Sequence, residues 1–560
     1  MDKIWLASYP EGVPADVDLS QVASLVEILE QAYARFADRT AYLCMGASLT
    51  FGDVDRLSRA VAAWLAARGL GPGHRVAIMA PNVLSYPPIL AGIVRAGCTL
   101  VSVNPLYTPR ELQHQLRDSG AEAIFVLENF AHTVQATQCP ELRHVVVSSM
   151  GDLMGFPRSM MVNFVVRSVR KLVPDFELPG HTRLSEVLRE GATLPFQRIA
   201  PAPDDIALLQ YTGGTTGVSK GAMLLQRNMV ANVLQVEAWI RRRIDAEHQS
   251  RFVCALPLYH IFALTLCGFI GTRLGACNLL IPNPRDMAGF IKSLRGFHAH
   301  LFPGVNTLFN GLLNQPDFAS LDFSDLRITI GGGMAVQSTV AERWRKLTGV
   351  PLAEGYGLSE TSPVATCNPC DVMEYTGSIG LPVPSTEVAI RDDEGHDLPL
   401  GQPGEICIRG PQVMAGYWKQ PAETARVMTA DGFFRSGDIG VMDAGGWVRI
   451  VDRKKDMILV SGFNVYPAEV EEVVSQHPGV LECVVVGVPS EQSGEAVKVV
   501  VVRRDPALDE QAIRDWCHER LTGYKRPAVV EFRTELPKTN VGKVLRRVLR
   551  DEARQKQAAD

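Results

Sequence analysis

The chain has 560 residues, too many for one hydrophobic core, so several lobes are expected. Its 46% hydrophobic and 21% charged residues are those of an ordinary globular protein, and a net charge of -5 gives no overall pull toward nucleic acid. Eleven cysteines lack a repeating spacing and no long apolar run follows Met1 to Trp5, which argues against a disulfide framework or a secretory signal and for a cytoplasmic setting.

Taken in chain order, the first clear element is a helix between Asp53 and Arg68, with Leu57, Val61, Trp64 and Leu65 on one face and Gly69 as its stop. Apolar runs that end in Pro or Gly and pass into helical periodicity, such as Arg75 to Ala80 and Leu326 to Ile330, predict α/β layering. Met160 to Val173 reads as an amphipathic helix. Met161, Phe164, Val165 and Leu172 share one face, and Arg167, Arg170 and Lys171 another, which suits an anionic membrane surface or an ordinary surface helix. The most apolar stretch, Phe252 to Gly271, contains Pro257, Tyr259 and His260 and reads as buried strand and helix rather than a bilayer span. Cys367 and Cys370 have no second pair or nearby histidines, so they read as two unrelated thiols rather than a zinc site.

Around Gly395 and Gly445 the pattern changes to alternating strands such as Glu405 to Arg409, which predicts a small antiparallel, barrel-like lobe. The charged run Asp452-Arg453-Lys454-Lys455-Asp456 marks a domain linker, dividing a large domain, 1–452, from a small one, 453–560. Beyond it the pattern predicts helix (Ala468 to Gln476), strand (Leu481 to Val486), strand (Val497 to Val502), helix (Glu510 to Leu521) and strand (Ala528 to Phe532), a compact α+β unit.

The sharpest local feature is Tyr211-Thr212-Gly213-Gly214-Thr215-Thr216-Gly217-Val218-Ser219-Lys220-Gly221, directly after the apolar run Ile206 to Leu209. Glycines let backbone N–H groups approach an anion, threonines add hydroxyl donors and Lys220 adds positive charge, which together describe a phosphate cradle. Lys220 is followed by Gly221 rather than Ser or Thr, so this is not a Walker loop. Gly217-x-Ser219-x-Gly221 formally matches a hydrolase nucleophile elbow, but an elbow needs a strand entering the serine and a helix leaving it. A plain flexible turn is the remaining alternative.

The loop resembles the phosphate-binding signature of the adenylate-forming superfamily of acyl-CoA synthetases, luciferases and adenylation domains. Leu256 to Phe262, Gly331-Gly332-Gly333, Glu354 to Glu360, Phe434 to Asp438, Asp452 to Asp456 and Pro537 to Lys543 follow in the superfamily's order and span most of the chain. Within it, Pro257 to Leu264, Phe302 to Phe309 and Asp452 to Tyr466 resemble bacterial long-chain fatty-acid-CoA ligases, with Ser436 where threonine is usual. The resemblance implies an α/β large N-terminal domain of two αβαβα-like lobes plus a small β-barrel lobe, followed by a small, mobile α+β lid.

By the same resemblance, Thr212 to Lys220 hold the ATP phosphates, with Tyr211 and Gly221 flanking them, and Glu360 with Thr212 binds Mg2+. Gly332, Glu354, Gly355, Tyr356, Gly357, Ser359, Asp438 and Arg453 line the ATP or AMP site, Tyr356 stacking on adenine and Asp438 accepting from the ribose. His260, Ile261, Phe262, Val305 and Gly331 form the acyl pocket, with His260 near the carboxylate. Lys543 bridges carboxylate and α-phosphate during adenylation, Lys455 is the hinge, and Ser461, Gly462 and Phe463 meet CoA. Expected partners are a long-chain fatty acid, ATP and CoA, with peripheral contact at the inner face of the cytoplasmic membrane, a homodimer left open and no nucleic acid. Three rival readings stand beside this one. They are transfer to a carrier-protein thiol or use of a short or aromatic acid, a lipid hydrolase using Ser219, and a non-catalytic lipid binder, against which Glu360, Asp438 and Lys543 argue.

Overall fold

The computed structural model describes residues 3–212, 219–244, 248–461, 463–490, 493–539 and 542–559. Among these, two large sheets carry the first four hundred or so residues. In one, Thr40–Cys44, Cys277–Leu280, Arg251–Cys254, Leu301–Gly304, Ile328–Gly331 and Leu352–Gly357 run parallel and are edged by antiparallel strands on both sides. In the other, Ile206–Thr212, Thr99–Ser102, Arg75–Met79, Ala123–Leu127 and His144–Ser148 are parallel, and Lys220–Leu225 returns antiparallel beside Ile206–Thr212. Parallel strands need both faces covered. Accordingly Val76, Ala77, Ile78 and Met79 are all buried, and so are Ile328 and Ile330.

The helix read between Asp53 and Arg68 spans Phe51–Ala67 and starts at a capping box in which Thr50 and Asp53 satisfy each other's backbone N–H groups. Its apolar face, with Val61, Trp64 and Leu65, enters the main core. A four-stranded antiparallel sheet follows (Glu387–Arg391, Gly404–Arg409, Phe434–Met442, Val448–Arg453), the small β lobe expected from the alternating pattern. The chain then leaves through Lys454 and Lys455 into a sheet built on Val480–Ser490 and Gly494–Arg503, with its own apolar cluster around Val485, Val499 and Ile513. The mixed α/β body followed by a small C-terminal domain is therefore the observed architecture. Missing from the sequence reading are the Ile458–Val460 and Phe463–Val465 hairpin and the closing helix Arg546–Ala559.

Met160 to Val173 is corrected in part. The α-helix is Arg158–Phe164, followed by a wider turn at Val165–Val169, and Arg167 is not free: its guanidinium grips both oxygens of buried Glu128 and the Ser149 hydroxyl. All eleven cysteines are free thiols, including buried Cys367 and Cys370. Among the described residues, no helix is long and apolar enough to cross a membrane.

Candidate active site

Several strands and the two domains converge on one cleft. Ile206–Thr212 delivers Thr212 to its rim, whereas the side chain of Tyr211, expected beside the phosphates, points to the opposite face of the strand and is buried in a separate apolar cluster with Val101 and Leu209. Gly213, Gly214, Thr215, Thr216, Gly217 and Val218 lie outside the described residues, as does Gly462. On the far side of the loop Thr212 pairs with Lys220 across an antiparallel ladder, so the chain re-enters a strand after Ser219. A nucleophile elbow requires a helix there, and the hydrolase reading falls. The Ser219 carbonyl lies 3.0 Å from His114 Nε2, and the Tyr211 hydroxyl donates to Asp118 at 2.6 Å. Gly221 leaves room for the Tyr211 ring, which a Cβ would approach to 3.1 Å.

Lys220 pairs with Glu423 at 2.5 Å and stands 5.5 Å from the Tyr417 ring centroid. The Tyr417 hydroxyl in turn donates to Glu360 at 2.7 Å. Glu360 is buried in the Ser359–Thr361 turn, and burial raises its carboxyl above the usual range while Tyr417 opposes the rise. Neither Tyr417 nor Glu423 lies in a motif that marks a site in the sequence. Among the described residues no cluster of three or more acidic, His or Cys side chains could hold a metal by itself. One carboxylate beside a phosphate site is instead how Mg2+ is commonly held, with phosphate and water supplying the other oxygens.

The base of the cleft is the Leu352–Gly357 strand. Tyr356 donates its hydroxyl to Asp438 at 2.7 Å, and Arg453 Nε meets the other oxygen of Asp438 at 3.2 Å. Asp438 and Arg453 are register partners in the small β lobe, which is what brings them together, and Ser436 accepts the Asp438 N–H. Glu354 accepts the Val336 N–H at 3.1 Å and burial lifts its carboxyl to about 8. Gly332 is wedged so closely that a Cβ would meet the Phe262 ring at 3.0 Å and the Gly355 carbonyl at 3.1 Å. Gly331 likewise leaves space for Leu352 and Val336. Gly357 lies against Pro363 and Ser359 opens the Glu360 turn.

His260 precedes the short helix Ile261–Ala263, and its Nδ1 accepts the Phe262 N–H at 3.3 Å. Burial first, then the charge of Lys543, lowers the imidazole to about 4. It is therefore neutral near pH 7, and with Nδ1 accepting, the proton sits on Nε2, free to donate. Lys543 stands half-buried between the domains. Burial, then Arg453, Lys455 and Arg546, pull its ammonium down to about 8 against the opposing pull of Asp438. Thr307 clamps its loop by donating to the Gly542 carbonyl at 3.2 Å, beside buried Val305.

The cleft thus brings together Thr212, Lys220, Glu360, Tyr356, Asp438, Arg453, His260 and Lys543. It does not bring in Phe463, which is 56% exposed and stacks on Tyr524 of the small domain, next to exposed Ser461. Two shallow surface clefts, one beside Leu70 and Phe196 and one beside Arg35 and Glu237, share no residue with this cluster.

An α/β body whose cleft faces a lysine from a small C-terminal domain defines a class. The chain belongs to the AMP-binding enzyme family, whose model matches residues 29–418, and the family's C-terminal domain matches residues 469–543. Among curated proteins it is 53% identical over 558 residues to a long-chain-fatty-acid--CoA ligase of Escherichia coli O6:H1, covering 99% of each chain. It is 39% identical over 561 residues to the protein of that name from Bacillus subtilis, covering 98% of each. Among solved structures, the anthranilate CoA ligase AuaEII in complex with anthranoyl-AMP superposes with a TM-score of 0.84 at 26% identity, covering 97% of this chain and 100% of that one. ATP-bound MatB from Rhodopseudomonas palustris gives 0.77 at 27%, covering 94% and 98%.

Proposed function

We infer that the chain is an ATP-dependent, AMP-forming ligase that joins a long-chain fatty acid to CoA. Full-length identity of 53% to a ligase of that name carries the activity. What supports the mechanism is the half-buried placement of Lys543 between the domains, near enough for its charge to act on His260 and for that of Asp438 to act on it.

In the first step a carboxylate oxygen of the fatty acid attacks the α-phosphorus of ATP, the bond to the β-phosphate breaks, and pyrophosphate leaves. Two anions must approach, so an ammonium between them stabilises the charge that builds in the transition state. Lys543 supplies it, and the N–H of neutral His260 orients the carboxylate. Lys220 and the glycine-rich loop hold the phosphates, Tyr356 lies under the adenine, and Asp438 takes the ribose hydroxyls in exchange for part of its present bonding to Tyr356. Glu360, with Thr212, would hold Mg2+, which when bound neutralises phosphate charge.

In the second step the CoA thiol gives up its proton to water and its sulfur attacks the acyl carbonyl, while the carbonyl-to-phosphate oxygen bond breaks and AMP departs with the bonding electrons. Lys543 has no part in this second step. A turn of the small domain about Lys455 withdraws it and brings Ser461 and Phe463 inward. Exposed Phe463 and a seated Lys543 are what an arrangement serving the first step would have. Peripheral membrane contact is part of the reading, through Phe156 to Leu172, where Phe156 is 86% exposed and Met160, Met161, Phe164, Val169 and Leu172 are exposed around Arg170 and Lys171.

AMP formation from ATP and CoA across a ladder of acids tests the substrate. Palmitate or oleate should support turnover far better than acetate or benzoate, and equal turnover with acetate would remove the long-chain assignment.

A further inference from the structure

We propose that Asp452 is a positioning residue for acyl-adenylate formation: it is the large domain's carboxylate grip on the small domain and keeps Lys543 seated. Asp452 lies in the Val448–Arg453 strand, opposite Ile439, and so belongs to the β lobe of the large domain. It is buried, with 3% of its surface exposed. One carboxylate oxygen, Oδ2, accepts the N–H of Ala468 at 2.9 Å, in the first turn of the Pro467–Ser475 helix. The other, Oδ1, accepts the N–H of Arg453 at 2.6 Å and stands 3.5 Å from the Arg546 guanidinium. Apart from its neighbour Arg453, these partners lie beyond Lys455, on the small-domain side.

Charge within the small domain is already matched without Asp452. Arg546 meets both oxygens of Glu471 at 2.7 Å and comes within 3.6 Å of Asp456, and Arg550 meets Asp456 at 2.6 Å. Asp456, Glu471, Arg546 and Arg550 all follow Lys455, so a turn at Lys455 carries them as one body while Asp452 stays behind. The contacts of Asp452 with Ala468 and Arg546 therefore exist in this arrangement and are lost when the small domain turns. A buried carboxylate deprived of its donors is costly until water or new partners reach it, so the grip favours the present arrangement. Arg546 is three residues from Lys543 and opens the closing helix, which ties the grip to the lysine loop.

This rests on the two-arrangement reading above, and the experiment separates the two. In the full-length chain, Asp452→Asn keeps an acceptor for Ala468 and removes the charge facing Arg546. Oleate-dependent ATP–pyrophosphate exchange should fall about tenfold, on the scale of one coupling between states. Formation of oleoyl-CoA from oleoyl-AMP and CoA should hold or rise, and Asp452→Glu should recover part of the exchange. Proportional loss of both half-reactions together with a lowered Tm would make Asp452 a fold residue only and overturn the proposal, as would unchanged exchange. Lys543→Ala, run alongside, reports on the underlying reading. If it fails to split the half-reactions, the two-arrangement account falls and this proposal with it, whereas a split by Lys543→Ala and none by Asp452→Asn overturns the proposal alone.

Discussion

At the scale of single residues, burial acts on two neighbouring bases with different consequences. His260, lowered to about 4, stays neutral across the physiological range, whereas Lys543, lowered to about 8, changes charge within reach of ordinary assays. Below about 8 its ammonium is present, and as pH rises through that value the charge is lost. The kcat/KM for acyl-AMP formation reports the free enzyme and should therefore decline above this pH. Lys543→Arg, whose guanidinium does not titrate there, should lose that limb even if slower overall, and an unshifted profile would assign the limb to another group. Lys543, Glu360 and Asp438 were legible in the sequence because each stands in a motif of fixed order. Tyr417 with Glu360 and Glu423 with Lys220 were not. They are separated by 57 and 203 residues and meet only because Gly416–Tyr417 pairs as a short edge strand with Lys220–Leu225. Tyr417→Phe should leave Glu360 without its buried donor and raise the KM for ATP several-fold with little change in fold, a loss of one bond to a charged group.

Among elements, the lysine loop shows how little slack the cleft has. Gly542 holds φ of +83°, and a Cβ there would meet Thr307 Oγ1 at 2.5 Å. Gly542→Ala should displace the loop and slow acyl-AMP formation more than Thr307→Val, which removes one hydrogen bond and adds no bulk, and the ATP–pyrophosphate exchange rates of the two variants check this. The exposed segment after Phe156 makes a separate prediction. Phe164→Glu with Arg170→Glu and Lys171→Glu should weaken co-sedimentation with anionic vesicles while leaving activity on detergent-solubilised fatty acid nearly unchanged. Each basic residue at such a surface contributes about 1 kcal/mol. Unchanged co-sedimentation would mean the face is merely exposed. Arg167 is left in place because its partner is Glu128, a pairing that helical periodicity could not reveal. Periodicity did locate Phe51–Ala67, Pro467–Ser475 and Glu510–Arg520 to within two residues, since each pairs an apolar stripe with a stop or cap. The Arg546–Ala559 helix carries so few apolar residues that its pattern was silent, although Leu549 and Ala553 are buried against the small domain's sheet.

At the scale of the whole molecule, one cleft is proposed to serve two chemistries in turn, with the small domain supplying a different group to each. The α/β body and the small domain could be read from strand and helix texture, but how one sits on the other could not. That docking depends on Thr307 with Gly542, Ser338 with Glu472, and Asp452 with Ala468 and Arg546, contacts between segments with no local signal for each other. The most direct test is Lys543→Ala assayed in both half-reactions. Fatty-acid-dependent ATP–pyrophosphate exchange should fall by about a hundredfold or more, the scale of losing one charge partner in the transition state. The same variant given oleoyl-AMP and CoA should still make oleoyl-CoA at close to the unaltered rate. Equal loss of both half-reactions, with folding intact, would contradict the account.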